Sequence, residues 1–223
     1  MFFFCSLLKA QVVIDSNLEN RFEESKKEFP NAFQEFIIKC EQSSISNGFA
    51  LFVLFNEDTL NLQEIKFPDY TNITILSLNG VPYKEEIDPE REELEHSDKS
   101  ILMAGSYLSG DTLLVKIAFP FGNEFIDLKI HENQVQTTYS EWYKDDNVLK
   151  LNPSDTLVDE LIIPIVLQKF ELSSADFQLD KMIYGYCEFE TFPYYRVEHY
   201  LDDQALKLIR KLKFYFKVKI GSF

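Results

Sequence analysis

The sequence predicts a mainly β fold of the α+β class, namely an antiparallel β-sandwich or barrel-like sheet with one or two short N-terminal helices. Residues 211–220 alternate between apolar and polar side chains without a break, which is the period of a half-buried strand. Strand-like runs separated by turn residues recur in the second half of the chain, as they do in sandwiches and barrel-like sheets. The 21 Phe and 11 Tyr residues also favour half-buried pleated surfaces.

An upstream strand at residues 183–190 is predicted to pair antiparallel with residues 211–220. The inner face of the closing strand is predicted to carry Leu212, Phe214, Phe216, Val218 and Ile220. On the outer face, glutamates of the upstream strand lie opposite lysines of the closing strand. Opposite charges in cross-strand positions favour this pairing, so we expect the two strands to frame the remaining sheet.

The outer face of these two strands is the predicted binding surface. Its members are Tyr184, Tyr186, Glu188, Glu190 and Tyr215. Exposed tyrosines on a sheet face can stack on sugars or contact a protein, so the predicted partner is a protein or a polysaccharide. The alternative is that a segment within residues 192–210 covers these side chains and buries them as ordinary packing.

Helical signals occur near the N-terminus and before the closing strand. Ser16 and Glu19 have the spacing of a capping box, and Pro30 ends the helix that they begin. Residues 31–40 carry apolar side chains at helical spacing and predict a second helix. An Asp N-cap with flanking leucines predicts a further short helix at residues 203–211.

The other elements are predicted to be strands joined by turns. Predicted strands occupy residues 49–55, 73–78, 101–108, 112–119, 125–130, 134–139 and 161–172. Asn79-Gly80 predicts a hairpin turn, since both residues tolerate positive φ. Pro164 places a bend or a sheet edge within the last of these strands.

Residues 84–99 interrupt this order with eight carboxylates. Such a stretch repels itself and offers little to bury, which predicts a solvated loop or a short exposed helix. We therefore expect a single mostly-β domain over residues 11–223, with the acidic stretch as the boundary if that domain is subdivided.

Residues 1–10 resemble the end of a Sec signal peptide. The apolar run at residues 2–8 is too short to span a bilayer, and the small Ala10 precedes Gln11 as at a cleavage point. The resemblance implies an exported protein that is periplasmic, associated with the outer membrane, or secreted. The alternative is an ordinary N-terminal strand.

Composition and motifs argue against several classes of function. The formal net charge of −15 disfavours nucleic acid as a partner. The sequence has no phosphate-binding glycine motif, no zinc-ligand spacing and no nucleophile elbow. No cofactor or metal is therefore predicted, and no motif supports an enzyme. Cys40 and Cys187 fit either one disulfide or two buried thiols.

The preferred functional hypothesis is an exported binding or structural protein of the cell envelope without enzymatic activity. The alternative is a cytosolic acidic interaction protein, such as an inhibitor or an immunity-type protein, that binds a basic partner. The leader and the absence of catalytic motifs favour the first hypothesis, whereas the acidic balance fits the second and the leader does not.

Residues 1–10 are expected to be absent from the mature protein, because the apolar run ends in a sequence typical of signal-peptide cleavage. Intact-mass analysis of protein from the native host checks this expectation. A mass that includes the N-terminal phenylalanines would contradict export by this route.

Overall fold

The computed structural model describes residues 9–27, 48–53, 73–78, 81–82, 99–118, 123–198 and 204–221. These residues form one helix, α1 (Leu18–Lys27), and a large mixed sheet. Its strands are β1 (Lys9–Ile14), β2 (Gly48–Val53), β3 (Ile73–Leu78), β4 (Val81–Pro82), β5 (Lys99–Ser109), β6 (Thr112–Ala118), β7 (Glu124–His131), β8 (Gln134–Trp142), β9 (Leu149–Lys150), β10 (Glu160–Ile163), β11 (Ile165–Leu172), β12 (Met182–Thr191), β13 (Tyr194–Glu198) and β14 (Gln204–Gly221). The predicted mainly β class is confirmed.

The strands from β5 to β8 form an antiparallel meander. The β5–β6 and β7–β8 hairpins are confirmed where turn residues predicted them. Gly110 and Glu132 at their tips adopt positive φ angles of 64° and 52°, the conformation that tight hairpin turns require. β3 and β4 also pair antiparallel on either side of Asn79-Gly80.

The last strand, β14, pairs antiparallel with β12 and buries the face that the alternation predicted. Gly185 lies opposite Phe216, and Glu188 and Glu190 lie opposite Lys213 and Lys211. The other edge of β14 pairs with β2, and β2 leads through β5, β6, β7, β8, β1 and β11 back to β12. The hydrogen-bonded sheet therefore closes on itself as a ring of strands.

The ring departs from the predicted antiparallel arrangement at two places. β1 lies between β11 and β8, parallel to the first and antiparallel to the second. The end of β14 also pairs parallel with β5.

Pro164 separates β10 from β11, and the two strands pair with different neighbours, β8 and β12. The bend predicted at Pro164 is thus present.

The first half of β14 leaves the ring and enters a second sheet. Residues 204–210 pair with β13 on one side and with β3 on the other. The predicted helix at residues 203–211 is therefore wrong. Leu206 and Leu208 continue the alternation of the closing strand, and burial on a strand face outweighs the local helix-start signal.

Helix α1 packs on the outer side of β12 and β14 and buries Leu18 and Phe22. It begins at Leu18, one residue beyond Asn17, whose carbonyl accepts the amide of Arg21.

Several predictions fall on residues that the structure does not describe. These are the leader at residues 1–8, the helix at residues 31–40, Cys40 and the acidic stretch up to residue 98. Among the described helical residues, none form a segment long and apolar enough to cross a membrane.

Apolar side chains from several strands of the ring fill its interior. They include Leu113, Val115, Ile126, Leu128, Ile130, Phe170, Phe189, Phe214, Phe216 and Val218. The rings of Phe170 and Phe216 stack with centroids 6.1 Å apart. Phe216 lies against Gly185, where a Cβ atom would overlap its ring, so the close approach of β12 and β14 requires glycine at this position.

Phe216→Ala should reduce the free energy of unfolding by about 3–5 kcal/mol, because it removes a fully buried ring. Lys217→Ala, on the opposite face of the same strand, should cost about 1 kcal/mol or less. Urea denaturation of both variants measures the difference. A larger loss from Lys217→Ala would contradict the register of β14, since a shift of one residue exchanges the two faces.

Candidate functional site

The structure brings the predicted binding residues together on the outer face of β12 and β14, beneath α1. Tyr184 and Tyr186 are 9% and 3% exposed. Phe22 meets the ring of Tyr184 edge to face at 5.6 Å. The guanidinium of Arg21 lies 5.3 Å from the ring centroids of both Tyr186 and Tyr215. Helix α1 therefore covers these tyrosines. The described parts of residues 192–210 include β13 and the first part of β14, and residues 199–203 lie outside the described residues.

Polar contacts hold α1 and the tyrosine layer in place. The Tyr184 hydroxyl donates to Glu19 at 3.1 Å, and the Tyr186 hydroxyl donates to Glu188 at 2.7 Å. Lys211 forms an ion pair with Glu190 at 3.5 Å. These contacts occupy the polar groups of the predicted binding surface. A role for these five residues in ligand binding stays a prediction.

A second group of polar side chains converges inside the molecule, where β14 passes from the ring to the second sheet. We call it the polar cluster. Its members are Glu124, Tyr139, Glu141, Tyr194, Arg196 and Arg210. Each is at most 3% exposed, although charged side chains are almost never fully buried unless they are paired.

Arg210 lies at the centre of the polar cluster. Its guanidinium pairs with Glu124, and its Nε donates to the Tyr139 hydroxyl at 2.8 Å. Its backbone amide donates to Thr191 Oγ1 at 2.9 Å. The side chain thus joins the two strands of the meander that carry Glu124 and Tyr139 to the strand β14.

Glu141 is the second anionic centre of the polar cluster. It accepts hydrogen bonds from the hydroxyls of Tyr139, at 2.9 Å, and Tyr194. Arg196 lies 3.7 Å from the other carboxylate oxygen of Glu141 and donates to the Tyr143 hydroxyl at 3.0 Å. The second sheet is therefore joined to the ring through charge-assisted contacts.

Burial determines the electrostatics of this cluster. Burial by itself lowers the pKa of Arg210, but the surrounding carboxyl and phenol groups raise it well above its usual range. Burial raises the pKa of Glu124, with Arg210 opposing the shift and Glu141 adding to it. Burial also raises the pKa of both tyrosines well above the ordinary value. The guanidinium therefore stays charged and the phenols stay neutral.

Sequence reasoning missed the polar cluster because Glu124 and Arg210 lie on strands whose other inward-facing residues are apolar. Glu124 continues the inner face of Ile126 and Leu128, and Arg210 continues that of Leu208 and Leu212. A charged residue at an inward-facing position of an alternating strand is the sequence signal that could have identified the polar cluster. Its partners lie on other strands, which the sequence pattern does not pair.

Other reactive groups of the described residues are isolated. Cys187 is a buried free thiol on the inner face of β12, and burial raises its pKa above the usual value. His131 lies at a hairpin tip, 3.2 Å from Asp111. No cluster of metal-ligating side chains occurs within the described ranges.

The outer surface behind the polar cluster exposes large apolar side chains. We call this surface the apolar face. Its members are Phe125, Trp142, Ile162, Val166 and Phe192. Phe125 and Ile162 flank Ser140 from the two neighbouring strands. The backbone amide of Phe192 donates to the carbonyl of Pro164, which lies between Ile162 and Val166 in the chain.

No family model, curated protein or solved structure matches the chain.

Arg210→Met should lower the free energy of unfolding by about 3–5 kcal/mol, because it leaves buried carboxylates without their cation. Arg21→Met is the matched control. Arg21 also pairs with two carboxylates, but its side chain is 28% exposed, so solvent screening should limit its loss to about 1 kcal/mol. Urea denaturation compares the two variants, and equal losses would show that the polar cluster is accessible to water.

Proposed function

We propose that the protein is an exported, non-enzymatic binding protein that docks a partner protein on its apolar face. The observation that carries this proposal is a contrast in exposure. The convergent polar side chains are at most 3% exposed, whereas the apolar face exposes 39% of Trp142 and 55% of Ile162. Within the described part of the chain, a substrate cannot reach the polar cluster, whereas a partner protein can reach the apolar face.

The apolar side chains are concentrated rather than scattered. Nine large apolar side chains are exposed among the described residues, and five of them belong to the apolar face. Single exposed apolar residues are ordinary on protein surfaces, whereas contiguous groups mark interaction sites. Aromatic residues such as Trp142 are also enriched at the centres of protein interfaces. These features support docking at this face.

The surrounding charges favour a basic partner. Glu160 is exposed and lies directly across from Trp142 on the neighbouring strand. The whole chain carries a net charge of −15. A partner that presents an apolar side chain flanked by lysine or arginine would complement this surface and be steered towards it.

Export is the second part of the proposal. It rests on the leader-like residues 1–10. Cleavage after Ala10 would remove two residues of β1, Lys9 and Ala10, but would leave Gln11 opposite Gln134 and the whole parallel pairing with β11. The ring is therefore compatible with removal of the leader. A cytosolic interaction protein with a basic partner is the alternative, and cell fractionation separates the two.

Ile162→Asp should weaken partner binding roughly tenfold or more, because it places a charge within the apolar contact. Val13→Asp is the matched control, since Val13 is also about half exposed, at 52%, but lies on β1 away from the apolar face. A photo-crosslinking residue in place of Trp142 in the native host measures contact, and urea denaturation checks that both aspartate variants fold equally well.

The expected result is a crosslinked product with a basic protein that Ile162→Asp abolishes and Val13→Asp preserves. A photo-crosslinking residue in place of Lys129, which is exposed on β7 outside the apolar face, should not yield that product. The same product from both positions, or one insensitive to Ile162→Asp, would contradict docking at the apolar face.

A further inference from the structure

Two carboxylate oxygens of the polar cluster lack hydrogen-bond partners. They are Glu124 Oε2 and Glu141 Oε2, and both are buried. Glu124 and Glu141 lie directly opposite each other on β7 and β8, and both point to the inner face. Directly opposed residues have their Cβ atoms roughly 5 Å apart. The two oxygens without a hydrogen bond are therefore neighbours in a region closed to solvent, with the Arg196 guanidinium 3.7 Å from Glu141 Oε2.

The other oxygens of the two carboxyl groups are already in use. Glu124 Oε1 accepts from Arg210, and Glu141 Oε1 accepts from Tyr139 and Tyr194. A buried acceptor without a donor destabilises the folded state by an amount comparable to a lost hydrogen bond. One proton on Glu124 Oε2, donated to Glu141 Oε2, would satisfy both unpartnered atoms at once.

We propose that Glu124 and Glu141 share one proton in the folded protein at neutral pH, as a carboxylic acid paired with a carboxylate. The pair goes beyond the proposed binding function and does not depend on it. The pair is a pH-sensitive contact between β7 and β8. It lies beside Arg210, where β14 leaves the ring.

The groups that face the pair decide which carboxyl group holds the proton. Tyr139 from β8 and Tyr194 from β13 both donate to Glu141, and Arg196 from β13 lies beside it. Glu124 receives Arg210 from β14 on one oxygen. Burial is the largest effect on the pKa of Glu124 and raises it, as does the charge of Glu141, against the opposing effects of Arg210, Tyr139 and Arg196. The proton therefore belongs on Glu124.

The competing state has both carboxyl groups ionised, with Arg210 beside both of them and Arg196 beside Glu141, and an ordered water between the oxygens that lack a hydrogen bond. That state balances the charges of Arg196 and Arg210 but sets two negative charges opposite each other on adjacent strands. Like charges in directly opposed positions are destabilising. An experiment that counts the proton separates the two states.

Glu124→Gln is the informative substitution. The glutamine oxygen still accepts from Arg210, and its amide nitrogen can donate to Glu141 in place of the shared proton. A carboxyl group with a raised pKa in the folded state contributes stability below its ordinary pKa and loses it as the pH rises through the folded value. The stability of the variant should therefore rise relative to the native protein as the pH increases, by up to about tenfold per pH unit in the unfolding equilibrium constant.

Glu171→Gln is the matched control with the opposite sign. Glu171 is also largely buried, at 7% exposure. Burial by itself raises its pKa, but Lys169 and Arg21 together lower it below the ordinary value. Its contribution to stability is present above the ordinary carboxyl pKa and is lost on acidification. Above the ordinary carboxyl pKa, where Glu124→Gln gains stability, the stability of Glu171→Gln relative to the native protein should therefore stay constant, and it should rise only on acidification below that value.

Infrared spectroscopy of the native protein provides a second measurement that needs no variant to fold. A protonated carboxyl band should persist at neutral pH in the native protein and disappear in Glu124→Gln. Absence of that band in the native protein would overturn the shared proton. Parallel pH dependences of stability for Glu124→Gln and the native protein would overturn it as well.

Discussion

The burial of Arg210 imposes the requirement that organises the structure around it. A guanidinium does not lose its proton in a protein, so a buried one must be accompanied by carboxylates and hydrogen-bond acceptors. β7 supplies Glu124 and β8 supplies Tyr139, which in turn donates to Glu141. The same strand β14 closes the ring on one side of Arg210 and joins the second sheet on the other. The charge pairing therefore fixes the place where the two sheets meet.

The fold was predictable from sequence where its cause was local. Alternation with a period of two identified the β12–β14 pair and both hairpins of the meander, because each strand has one buried face. The prediction of a helix at residues 203–211 was wrong because Arg210 interrupts the apolar alternation of β14, so that the strand could not be followed through this position in the sequence. The carboxyl groups of Glu124 and Glu141, on the distant strands β7 and β8, make a charge acceptable at that inner position.

The candidate site was less predictable than the fold. The sequence identified the face that carries Tyr184 and Tyr186, but its cover comes from α1, whose Glu19 lies 165 residues before Tyr184. No pattern along the chain indicates which distant segment packs on a strand face. The apolar face was missed for a related reason, since Phe125, Trp142 and Ile162 become neighbours only through strand pairing. A binding surface there is consistent with an acidic chain whose convergent polar groups are sealed inside.

Amide hydrogen exchange tests most directly whether the sheet closes on itself through β14. Successive amides of a strand point to opposite edges, so a strand paired on both sides protects every amide, whereas an edge strand protects only alternate ones. β12 pairs with residues 211–219 and β2 pairs with residues 214–218. Slow exchange at every amide from 214 to 218 is the predicted result. Fast exchange at alternate amides of that segment would show that the ring is open at β14.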